Sequence, residues 1–178
     1  MASTVLPPGH EAWEVFVVLV HELSEAECSA VLARTGFGRL GYSQLNQPFI
    51  APTFFAFDAD AEGLYAFSSV GHKVEAMRRN ARVCLEVEEI LDRDHWTTVL
   101  VLGRYRELRG DLPDPDRAVK LRAEQLLLQR PECWLPGAAR LSSAEPERAV
   151  VYQIVIDRMT GRRAQRGRPQ TADPTPLA

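Results

Sequence analysis

A mainly β fold, with strands forming a small barrel and helices on its periphery, is what this sequence predicts. Three features predict it. Short apolar, β-branched segments crowd between residues 37 and 108; glycine or proline marks their bends; and one further apolar segment returns at 149–156, after a helical stretch.

Residues 1–22 read as a lead-in. Pro7, Pro8 and Gly9 loosen its start, and Trp13 to Val20, rich in β-branched and aromatic residues, reads as a short strand. Ser24-Glu25-Ala26-Glu27 is a capping box, in which the Ser24 hydroxyl takes an orphan amide and Glu27 reaches back. It opens a helix whose expected buried stripe is Ala26, Ala30, Val31 and Ala33, ended by Gly36 and Gly38. Strands follow at Phe37–Ser43 and Phe49–Phe57. Pro52 cannot donate to a ladder, so it belongs at an edge, bulge or kink. Asp58–Gly63 is turn material and Gly63–Ser68 the next strand.

Gly71–Asn80 reads as a helix with Val74 and Met77 inward and Lys73, Arg78 and Arg79 available to solvent or an anion. Arg82–Ile90 alternates cleanly, with Val83, Leu85 and Val87 on one face and Cys84, Glu86 and Glu88 on the other. His95–Leu108 is a long strand bending at Gly103. Asp114–Arg130 is a helix, acidic at its start as the macrodipole favours, with Leu121, Leu126 and Leu128 as apolar contacts and Pro131 as its stop. After a loop, Ala149–Ile156 is the last strand. One domain over 23–158 results, with 159–178 expected as a mobile Arg- and Pro-rich tail containing Arg162, Arg163, Arg166 and Arg168.

Bulk chemistry narrows the function. At 178 residues and 46% hydrophobic, the chain can bury one real core. A net charge of −3 does not suit coating nucleic acid or an anionic membrane. Three scattered cysteines suggest neither a disulfide framework nor a zinc cluster. The apolar run Val15–Val20 is too short to span a bilayer and no basic residue precedes it, so a cytoplasmic protein is expected.

The segment Leu64-Tyr65-Ala66-Phe67-Ser68-Ser69-Val70-Gly71-His72-Lys73 carries the chemistry. A strand ends in two hydroxyl residues, a glycine follows, and a helix opens with a histidine and a lysine. Unpaired amides at a helix start attract phosphate; hydroxyls and a lysine charge add to that. A plain reading stays open beside it, in which Ser69 caps the helix and Lys73 is solvated. The segment lacks both the Walker spacing and the dinucleotide fingerprint, so a single phosphate monoester is the better fit.

Five segments in order, Gly38-Arg39-Leu40-Gly41, Pro48 to Phe54, Tyr65 to Lys73, Asn80 to Val87 and Trp96 to Arg104, resemble the pyridoxamine 5′-phosphate oxidase-like superfamily, and more closely its nitroimidazole-reductase-like branch. The resemblance spans roughly residues 23–158. It implies a split β-barrel of FMN-binding type that works as a homodimer. Residue by residue, it implies that Ser68, His72 and Lys73 grip the FMN phosphate, with Ser69 beside them. Pro52, Thr53 and Phe54 would run along the isoalloxazine, Phe67 would stand beside the phosphate loop, and Thr98 would approach the flavin edge. Two departures limit the transfer. Phe67 stands where some nitroimidazole reductases carry a functional histidine, and no tryptophan follows Trp134, as the true oxidases require in their last segment. Vitamin B6 oxidation is therefore not implied.

The expected function is an FMN-dependent oxidoreductase acting on a small aromatic or quinone-like acceptor, in which the flavin carries the redox chemistry and the protein positions it. A non-catalytic flavin-binding or sensor protein, or a haem- or F420-binding variant of the same barrel, stands as the alternative. No metal site is expected.

Overall fold

The computed structural model describes residues 17–61, 63–109, 116–130 and 149–167. Their elements are β1 Val17–Leu23, α1 Glu25–Arg34, β2 Phe37–Gln44, β3 Gln47–Phe54, β4 Ala56–Asp58, β5 Gly63–Ser69, α2 His72–Arg79, β6 Arg82–Ile90, β7 Trp96–Leu108, α3 Asp116–Leu128 and β8 Ala149–Gly167. The strands form one antiparallel sheet in the order β3-β2-β6-β7-β8-β5-β4, with β1 paired to β8. The two ends of that order meet. β3 passes directly into β4 through Phe55, whose amide donates to the Gly36 carbonyl at 2.8 Å, and β3 also touches β5. The sheet is thereby rolled into a barrel around a shared core, with β1 off that path and exposed over Val17–Glu22.

Inside it lie Leu40, Leu64, Ala66, Val83, Leu85, Val87, Val99, Val101, Tyr152 and Ile154, the inward set of an alternating pattern. Val74 and Met77 of α2 join this core, as the helical spacing predicts. A second cluster forms where α3 lies over the outer side of β5 and β8, around Tyr65, Leu108, Ala123, Leu127 and Val151. Arg130 ties the end of α3 to α1 by donating to the Thr35 and Ala33 carbonyls.

The capping box forms: the Ser24 amide donates to Glu27 Oε2 at 2.9 Å and the Glu27 amide to Ser24 Oγ at 3.4 Å. The expected stripe on α1 is corrected. Cys28, Val31 and Leu32 are buried, while Ala26, Ala30 and Ala33 are exposed. The larger side chains at the 28/31/32 spacing win the core face because they remove more apolar area from water. On α3 the buried pair is Ala123 and Leu127 while Leu121 and Leu128 face out, because the helix's docking on β5 and β8, not side-chain size, sets its inward face. The strand expected at Phe49–Phe57 is two strands broken at Phe55, and Pro52 sits on β3, an edge strand, where a missing donor costs least.

The largest correction concerns the tail. β8 continues to Gly167, so residues 159–167 are strand. Its first half pairs with β5, its second with β1, and β7 runs along nearly all of it. Arg162, Arg163 and Arg166 therefore stand in a ladder; Arg168 lies outside the described residues, as do the loop at 131–147 and the lead-in through residue 16. Non-local pairing overrode a polar composition, because a strand needs partners more than propensity.

β7 and β8 shift register between Leu102 and Gly103, the bend expected at that glycine. A Cβ at Gly103 would run into the Val155 carbonyl oxygen and the Ile154 side chain. Gly103→Val should cost about 1–3 kcal/mol, read as a lowered urea midpoint.

Candidate functional site

The corner between β5 and α2 is built as its sequence suggests. Phe67, Ser68 and Ser69 are the last residues of β5, paired with Val151, Val150 and Ala149. α2 then starts on Gly71, which has no side chain to cap it, and His72 and Lys73 are its first two residues. A Cβ placed at Gly71 would meet nothing within 4 Å, so the backbone here faces open space. The Ser68 hydroxyl donates to the Ser69 carbonyl at 3.1 Å. His72 is exposed and Lys73 half-buried.

Two aromatic neighbours escaped the sequence reading. Tyr42 and Phe49 face each other across the β2–β3 hairpin, stacked with ring centroids 5.5 Å apart and 16° between planes. His72 meets the Phe49 ring edge-on at 4.8 Å, and its Nδ1 lies 3.4 Å from the Tyr42 hydroxyl. The signal was the register: a two-residue turn at Leu45 and Asn46, both at positive φ (50° and 63°), puts residue 42 opposite 49. At the far end of α2, Asn80 Nδ2 donates to Ser43 Oγ at 2.9 Å.

Arg78 is not available to an anion, contrary to the expectation. Its Nε and Nη2 grip Glu107 at 2.7 and 2.9 Å, and its Nη1 reaches Glu75 at 2.6 Å. The Tyr105 hydroxyl also donates to Glu107, at 3.0 Å. The Arg78 guanidinium holds the Glu107 carboxyl below its ordinary range, and burial pushes the Tyr105 phenol up. This network fixes α2 against β7.

The residues from β3 and β7 are placed differently. Pro52 is exposed on the barrel's outer face. Thr53 is turned inward and is 4% exposed, against Tyr152. Phe54 is half-buried, its ring 5.0 Å from that of Phe37, and both Phe54 and Phe67 pack on the cluster under α3. Thr98, between Glu88 of β6 and Arg162 of β8, is three strands from β3 in the sheet, roughly 14 Å at the usual strand spacing. Within one chain, then, the structure gathers Phe67 to Lys73 but leaves Thr98 apart from them.

On the far side of the barrel, Arg122 of α3 holds Asp58 through Nε at 2.9 Å and Nη2 at 3.3 Å. The Asp58 side chain is 3% exposed and its carboxyl lies below the ordinary carboxylate range, chiefly because of the Arg122 hydrogen bonds. A depressed carboxyl contributes stability above its unfolded value of about 3.9 and loses it as pH falls through the lower folded value. Asp58→Ala should therefore cost about 1–2 kcal/mol at neutral pH. The gap to the parent in urea midpoint should narrow as pH falls below about 3.9, where the unfolded carboxyl protonates first, and close only below the lower folded value.

Among the described residues no group of three His, Cys, Asp or Glu side chains could hold a metal ion, and no helix is long and apolar enough to cross a membrane.

Comparison with known proteins agrees with this architecture. The protein RA0666 of Rhizobium meliloti (strain 1021), whose function is uncharacterized, is 32% identical over 153 residues, covering 84% of this chain and 99% of its own. The crystal structure of a FAD-binding protein, mll6688 from Mesorhizobium loti, is similar at 34% identity and a TM-score of 0.62, over 84% of this chain and 99% of that one. The FAD binding protein from Mycobacterium smegmatis shares the fold at 22% identity and a TM-score of 0.56, over 80% and 98% of the two chains. The sequence profile of the pyridoxamine 5′-phosphate oxidase family matches residues 24–163, from the α1 cap into the second half of β8, and this chain belongs to that family.

Proposed function

We propose that this protein binds FMN by its phosphate at the β5–α2 corner and works as a homodimeric oxidoreductase on a small aromatic or quinone-like acceptor. The observation that carries the reading is the corner itself: two serines, an uncapped helix start facing open space, and Lys73 at the second helical position. That donor set suits a phosphate monoester. His72 is held by Tyr42 and Phe49 and offers its other ring nitrogen. Bound there, a flavin supplies hydride or electron transfer; the chain's own part is to grip and orient it.

The sheet's outer face supports a second copy. By register Ile50, Phe37, Ile90, Leu100 and Leu102 share it, and each is at least 40% exposed. They surround the Arg39–Glu86–Glu88 ion pairs on the same face, a mixed apolar and charged surface of the kind a partner interface uses. Pro52 and Thr98 lie on the same face, so a partner would complete the ring site that one chain leaves divided. Thr53, turned inward, would contribute its backbone rather than its hydroxyl. Sedimentation should give twice the 19.9 kDa chain mass. The free thiols Cys28 and Cys84 suit a cytoplasmic setting.

FAD is the competing ligand, favoured by the name of the M. loti relative. Titration with FMN, FAD and riboflavin, followed by flavin fluorescence, tests the reading. FMN should bind at least about tenfold more tightly than riboflavin, since a charge-assisted phosphate contact contributes at least that much. Tightest binding of FAD would change the ligand, and indifference to all three would reject the proposal. Flavin held without NAD(P)H-linked turnover would favour the non-catalytic alternative.

A further inference from the structure

Where β8 leaves β5 and runs between β7 and β1, the sheet has a side turned away from Thr98 and from the proposed partner. Alternation sends Glu89, Thr97, Arg163 and His21 to that side, opposite Thr98 and Arg162. α1 covers part of it: Arg34 grips Glu89 at 2.7 and 2.6 Å, and Arg163 reaches Glu27 at 3.3 Å. Next to these ion pairs is a pocket of about 400 Å³, lined by Glu89, Leu91, His95, Thr97, Arg163 and Gln165 among others.

Two polar side chains without a charge partner of their own meet across this pocket. Continued one residue past Trp96 and Ala164, the β7–β8 register sets His95 opposite Gln165; the next pair, Asp94 and Arg166, is joined by an ion pair at 3.0 Å. Facing residues have Cβ atoms about 4.5–5.5 Å apart. The Leu91 amide donates to the His95 carbonyl at 3.0 Å, which sets an apolar side chain across the hairpin from His95.

Both side chains are held so that an acceptor is left over. Asp92 accepts from His95 Nδ1, with both carboxylate oxygens 2.9 Å away, and its Oδ1 also accepts the Asp94 and His95 amides, at 2.8 and 2.9 Å. The hydrogen bond from His95 is the chief reason that the Asp92 carboxyl lies below its ordinary range. With its Nδ1 proton directed at Asp92, His95 presents Nε2 as an acceptor, and Nε2 bonds to no described residue. Gln165 Nε2 donates to His21 Nε2 at 3.3 Å, which leaves Gln165 Oε1 open. The neighbouring cations Arg34, Arg163 and Arg166 are committed to Glu89, Glu27 and Asp94. A ligand that fits must therefore bring its own donors.

We infer that this pocket binds a primary aromatic amine, whose two N–H groups are donated to His95 Nε2 and Gln165 Oε1 and whose ring lies against Leu91. Asp92 is a positioning residue that fixes the His95 tautomer. The site is independent of the flavin reading.

The test is an NMR titration of the full-length protein, with and without FMN, using aniline, N,N-dimethylaniline and toluene. Aniline should shift the amides of residues 89–97 and 163–165. It should bind at least about tenfold more tightly than the other two, which bring no N–H donor. His95→Phe and Gln165→Leu should each lose about tenfold in aniline affinity. Asp92→Ala should weaken aniline as well, and the ring nitrogen shifts should show the His95 proton shared between Nδ1 and Nε2, where the parent keeps it on Nδ1. FMN should leave aniline affinity unchanged. Equal binding of the three compounds, no shifts at the pocket, or unchanged affinity in both His95→Phe and Gln165→Leu would overturn the site. Competition between aniline and FMN would overturn it too, by moving the amine to the flavin. Aniline binding by a protein that ignores flavins would keep this site and reject the proposed function; FMN binding with no aniline binding would do the reverse.

Discussion

Replacing Tyr152 with alanine should cost the fold about 3–5 kcal/mol, while Tyr152→Phe should stay within about 1 kcal/mol of the parent. Tyr152 is fully buried at the middle of the barrel, its ring 5.2 Å from that of Tyr105. Alanine would leave a cavity that strands held by ladders on both sides cannot collapse to fill. The hydroxyl is a different matter. It approaches Thr53 but satisfies no hydrogen bond, so its removal relieves a desolvated polar group rather than breaking a contact. Urea midpoints of the three proteins check this. A phenylalanine variant as unstable as the alanine one would mean that the hydroxyl is partnered in solution.

Lys73→Ala should weaken FMN binding about tenfold to a hundredfold and leave riboflavin binding nearly unchanged. Hydrogen bonds to charged groups are worth about 1.5–3 kcal/mol, and the phosphate is the group FMN has and riboflavin lacks. Lys73 is at the second position of α2, where the helix dipole adds to its charge. Because α2 is held by the Arg78–Glu107 grip and the Asn80–Ser43 bond, the substitution should leave the helix in place. Equal losses for FMN and riboflavin would move the phosphate elsewhere.

Local chemistry was legible in the sequence wherever it was sufficient to set structure. The Ser24–Glu27 box, the edge position of Pro52, the bend at Gly103, the span of β6 and the inward set of α2 all follow from residues within a few positions of one another. The β5–α2 corner belongs to the same class, since its serines, glycine and lysine are contiguous. What the sequence hid depends on pairing between distant segments. β8 runs nine residues past Arg158 only because β1 and β7 flank it there. Tyr42 and Phe49 meet through a turn carrying no glycine. The outward turn of Leu121 and Leu128 is set by how α3 lies on β5, not by its own spacing. The resemblance groups Thr98 with the phosphate residues; one chain keeps them apart, and the proposed partner would bring them together.

The most direct measurement is the visible absorption spectrum of the protein as purified, with the released ligand identified by mass. A flavin spectrum is expected, with FMN as the released species, reduced in amount by Lys73→Ala. A colourless protein that stays colourless after incubation with FMN and FAD would contradict it, leaving the barrel and its family but removing the cofactor.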